Sequence, residues 1–132
     1  MEIAIKRLMG RNMRDRVFVW LVATLLGCTG LAYLFAPAEM ARAAGLSADA
    51  GGLTDIRATY GGFQVGIAVF LVWLSRSQLS AALLLTAVVF GAVLISRVTG
   101  LLIDESLTGF HQTALGFEVT IVALAVWFYS RP

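Results

Sequence analysis

Cysteine, histidine and charge are all scarce in this sequence. Among 132 residues there is one cysteine, Cys28, and one histidine, His111. A lone cysteine excludes an intrachain disulfide and paired-cysteine motifs, and Cys28, set within an apolar stretch, reads as a packing residue. One histidine leaves little for acid–base chemistry, and no Gly-rich phosphate loop or Ser-His-acid pattern accompanies it. Charged residues make up 14% of the chain and hydrophobic ones 59%, against about 25% and roughly 45–50% in soluble domains. That balance excludes an ordinary water-soluble domain. It leaves the lipid bilayer as the main solvent, and no nucleic-acid partner, metal or cofactor is expected.

What is abundant is uninterrupted apolar sequence. Four runs, about Val17 to Ala36, Arg57 to Ser75, Ser80 to Thr99 and Phe110 to Tyr129, each approach the roughly 20 residues that cross a hydrocarbon core. In lipid every backbone polar group needs an internal partner, and the alternation of barrel strands is absent, so each run is predicted to be a helix. The first run follows basic residues, as a signal peptide would, but its length exceeds the about 7 to 15 apolar residues of such a segment. The predicted fold is therefore all-α: an integral membrane four-helix bundle, a single domain over residues 1–132.

Orientation follows from the basic residues. With the N-terminus inside, Lys6, Arg7, Arg11, Arg14, Arg16, Arg76 and Arg131 fall on the cytoplasmic side, against Arg42, Arg57 and Arg97 outside, which predicts that both termini are cytoplasmic. Trp20, Trp73 and Trp127 all fall at that same interface, where amphipathic rings are favoured. Residues 1–16 carry Ile5, Leu8, Met9 and Met13 at helical spacing between basic residues. They suit either a topology signal or a short helix on an anionic leaflet. The outer loop, 37–56, contains a short helix predicted from Pro37 to Ala44 and ended by Gly45. The stretch Ser75 to Leu79 is a tight connection between antiparallel neighbours. Gly62 and Gly66 in the second run, Ala23 and Gly27 in the first, and Ala87 and Gly91 in the third repeat at four-residue spacing. Such spacing marks close helix approach, within one chain or between chains.

The residues that carry a functional expectation are the ionisable ones at membrane depth. Glu118 lies about 12 Å below the outer end of the fourth run at 1.5 Å per residue, and a carboxylate there needs a partner. Arg97 and Arg57 are the basic side chains at a similar level, long enough to reach it and able to fork a carboxylate. A buried cluster of Arg57, Arg97 and Glu118 is predicted. Tyr60 and Gln64 share a helix face with Arg57 by i, i+3, i+7 spacing, and His111 stands two turns above Glu118. One reading makes this cluster a charge pair that fixes helix register. Another makes it the lining of an outward-facing cavity for an anionic headgroup, an amphipathic small molecule or a proton. A catalytic role for His111 with Asp104, Glu105 and Glu118 is the weakest, for no ligand spacing or paired nucleophile supports it.

The segment Asp55-Ile56-Arg57-Ala58-Thr59-Tyr60-Gly61-Gly62 resembles the hallmark of a bacterial family of small four-helix membrane proteins, the domain of unknown function 4345. The resemblance extends over about residues 17–130, with Arg97 and Gly100 matching an arginine and glycine at the end of the third helix and Glu118 an acidic residue early in the fourth. An acidic residue usual before the first arginine is represented by Asp55, two positions upstream. The resemblance implies a bacterial inner-membrane location and draws attention to Arg57, Tyr60, Gly61, Gly62, Arg97 and Glu118. It implies no substrate. The expected function is that of an accessory or scaffold subunit of a membrane assembly, as a homo-oligomer or within a larger complex. The alternative is a binder or carrier of a small amphipathic molecule or lipid.

Overall fold

The computed structural model describes the backbone of residues 2–105 and 107–131 and the side chains of residues 12–105 and 107–131. The amphipathic pattern expected of Ile5, Leu8 and Met9 lies outside the described side chains. Five helices make up the described chain, with no strand: α1 Glu2–Phe35, α2 Pro37–Ala43, α3 Ala50–Ser77, α4 Leu79–Asp104 and α5 Gly109–Ser130. Four of them, counting α1 from Asn12, are long and apolar enough to cross a membrane.

Helix ends depart from the apolar runs because capping, not hydropathy, sets them. α3 begins seven residues before Arg57, where the Asp49 side chain accepts a 2.8 Å hydrogen bond from the Gly52 N–H and so satisfies one of the orphan donors of the first turn. α4 continues past Thr99 to Asp104 and stops at Glu105, whose φ of 50° is left-handed. α2 starts with proline at its first position, where the missing N–H costs nothing, and the chain turns after it at Gly45, φ +78°.

Contacts divide the chain into two compact units, Trp20–Trp73 and the combination of Met1–Val19 with Leu74–Pro132. In the Trp20–Trp73 unit, α1 and α3 meet through small residues. A Cβ built on Gly30 would stand 2.9 Å from the Gly61 carbonyl oxygen and 3.0 Å from the Val65 nitrogen, and one on Gly61 would stand 2.8 Å from Leu34 Cγ. Only glycine lets these backbones approach so closely. Above this contact Tyr33, Ala41 and Ile56 form a buried cluster with Met40 against it.

Within α3, residues Arg57–Gly62 are π-helical, a wider turn closed by i→i+5 hydrogen bonds. The stretch holds two adjacent glycines, and Thr59 directs its hydroxyl back to the Asp55 carbonyl at 2.6 Å. In the other unit the start of α1 packs with α4 and α5. Val19, Ala82 and Ala125 are completely buried, and the rings of Phe18 and Phe128 lie 5.1 Å apart.

The glycines of the packing expectation are not equivalent within the chain. Gly61 is at a helix contact, but a Cβ on Gly62 would meet only the Arg57 carbonyl, and one on Gly66 or Gly91 would meet nothing within 4 Å among the described residues. Four-residue spacing records which residues are small; it does not record which way they face. Cys28 is likewise exposed on α1 rather than packed.

Candidate functional site

Glu118 is the tenth residue of α5 and is 6% exposed. Its carboxylate is held by Arg97 of α4. Arg97 Nε donates to Oε1 at 2.9 Å and to Oε2 at 3.0 Å, and Nη2 donates to Oε1 at 2.7 Å. This is the forked arginine–carboxylate geometry, the strongest kind of charge-assisted hydrogen bonding. The Arg97 guanidinium also lies 5.9 Å from the centre of the Phe110 ring, within reach of a cation–π attraction. The His111 and Phe110 rings meet in a T-shaped arrangement, 5.9 Å between centres. Its backbone N–H is capped by the Thr108 hydroxyl oxygen at 3.4 Å, which fixes the start of α5.

Of the expected cluster, then, Arg97 and Glu118 come together, with Phe110 and His111 beside them. Arg57, Tyr60 and Gln64 belong to the Trp20–Trp73 unit. There the three are not equivalent. Gln64 is half-buried, its Oε1 2.6 Å from the Thr29 hydroxyl. Tyr60 stacks at 5.3 Å on Tyr33 while remaining 43% exposed. Arg57 is exposed at the start of the π-helical stretch, with no hydrogen bond or ion pair among the described residues.

A second charged pair was not legible in the sequence. Asp15 is 5% exposed, and Arg131 Nη2 donates to its Oδ1 at 3.1 Å. The Arg131 guanidinium lies over the rings of Trp127 and Phe128, at 3.9 and 4.3 Å from their centres. Nearby, Arg16 Nε donates to the Ser75 carbonyl at 3.2 Å. In this unit the start of the apolar part of α1, the end of α3 and the end of α5 are thus gathered at one end. The available signal was an aspartate between Arg14 and Arg16, but its partner is 116 residues away.

The class these observations define is an all-α protein with four helices fit to cross a membrane and a neutralised arginine–glutamate pair between two of them. Within that class the particular assignment is direct. Residues 15–129 match the family described as Domain of unknown function (DUF4345), and the chain belongs to that family. No curated protein and no solved structure matches it.

Proposed function

We propose that this is a multi-pass protein of the bacterial cytoplasmic membrane, both termini cytoplasmic, that acts as an accessory or scaffold subunit of a membrane assembly. The observation that carries the reading is the division of labour among its side chains. The buried carboxylate of Glu118 is fully engaged by Arg97, while large apolar residues stand outward along the helices. In α4 alone Val88, Ile95 and Leu102 are 60%, 69% and 77% exposed. A helix with such a surface is stable only against lipid or other apolar helices.

Photo-crosslinking residues placed at Val88 and Ile95 in native membranes test this. Each position should give one discrete protein adduct; lipid adducts alone at both would overturn it.

A second reading has its own observation. Arg57 is exposed and makes no hydrogen bond or ion pair among the described residues, on a π-helical stretch of a kind often found at functional sites. It would bind a small amphipathic anion with Tyr60. Native mass spectrometry of wild type and Arg57→Gln should then show a bound molecule only in the first; identical spectra would remove the reading.

A further inference from the structure

The end of the chain where Arg16 meets Ser75 contains a cleft of about 570 Å³. Arg16 comes from α1, Arg76 and Ser77 from the last turn of α3, Gln78 from the single-residue link and Ser80 from the first turn of α4. Two arginines and no carboxylate line it among the described residues. Arg76 is exposed and makes no hydrogen bond or ion pair among them, and Arg16 uses only Nε toward Ser75. Its guanidinium nitrogens are therefore positioned by that bond and left with donors to give. The hydroxyls of Ser77 and Ser80 and the amide of Asn12 add neutral donors to the same lining. The start of α4 also borders the cleft, and Gln78 does not cap it with its side chain.

We propose that this cleft is a binding site for a phosphate group, distinct from the Arg97–Glu118 pair and from Arg57. The donors fit such an anion in kind: guanidinium forks and hydroxyls suit its several acceptor oxygens, and the two positive charges match its negative charge. The level fits as well. The cleft lies beside the residues at which α1 and α4 enter their apolar sequence. A basic recess of this kind on the cytoplasmic side takes the headgroup of an anionic phospholipid, and its chemistry serves a free phosphate equally.

The purified full chain, in detergent at physiological salt, is titrated with phosphatidylglycerol, phosphatidylcholine and inorganic phosphate, with binding read by native mass spectrometry. Arg76→Gln should weaken binding about fivefold, and Arg16→Gln with Arg76→Gln roughly thirtyfold, from about 1 kcal/mol per basic residue at 1.4 kcal/mol per tenfold. Arg14→Gln removes the same charge from an exposed position outside the cleft and should change binding less than twofold. Arg76 is exposed and makes no hydrogen bond or ion pair among the described residues, so its variant carries the test even where the Arg16 change alters folding. Preference for phosphatidylglycerol identifies a lipid headgroup as the source, and displacement by inorganic phosphate identifies a soluble one. Binding that is unchanged in Arg76→Gln, or reduced equally in Arg14→Gln, overturns the site.

Discussion

At the scale of single residues, the Arg97–Glu118 pair decides most. Removing Arg97 leaves the buried Glu118 charge uncompensated, at a cost of about 3–5 kcal/mol, so Arg97→Gln should destabilise strongly. Glu118→Gln leaves a guanidinium whose side chain is 22% exposed and should destabilise less. The double variant should recover much of the loss, because the penalty belongs to the unpaired charge. Thermal melts of the four proteins in one detergent check this, and simple additivity would refute a structural pair. This pair was readable from the sequence because a carboxylate within a long apolar run demands a cation and few lay at its level. Asp15 was not readable. Its neighbours in sequence are arginines, which supply a local explanation for its charge and hide the distant Arg131 that the fold brings to it.

At the scale of elements, the contact of α1 with α3 depends on Gly30 and Gly61. Gly30→Ala would press a methyl group against backbone atoms of Gly61 and Val65, and backbone cannot step aside. It should cost about 1–3 kcal/mol by overpacking. Gly61→Ala meets Leu34 Cγ at 2.8 Å and the Leu34 backbone nitrogen at 3.1 Å and should cost a similar amount, whereas Gly66→Ala and Gly91→Ala should be tolerated; unfolding in a denaturant series separates the two pairs. Asp49→Ala should remove about 1 kcal/mol of cap, seen as earlier hydrogen exchange at Ala50 to Leu53. Four helices and their type could be read from apolar length alone. Their ends could not, since Asp49 extends α3 and Glu105 ends α4 by local backbone geometry. Nor could the π-helical stretch, whose wider turn breaks the regular spacing that put Arg57, Tyr60 and Gln64 on one face.

For the molecule as a whole, the gathering of Asp15, Arg16, Ser75 and Arg131 at one end bears on topology. With Cys28 replaced by alanine, a cysteine at Ser77 should react with an impermeant maleimide only after the inner side of the membrane is opened. One at Ser47 should react from outside on intact cells. The reverse pattern would invert the proposed orientation. Composition supports the bilayer as the solvent of this chain, and basic-residue counting gives its expected sidedness. The units into which it folds depend on contacts between residues far apart in sequence, which no local pattern records.

Arg97 and Glu118 are also separated in time. Glu118 follows Arg97 by 21 positions in the chain, so at about 5–20 residues per second the ribosome makes the arginine roughly 1–4 s before its carboxylate. Under the membrane reading proposed above, α4 enters the bilayer during that interval with its cation unpaired, and the charge is neutralised only when α5 arrives. On that reading, nascent chains arrested before Glu118 should be extracted from the membrane more readily than those arrested after α5 has emerged, and the last helix is the step that commits the protein to the bilayer.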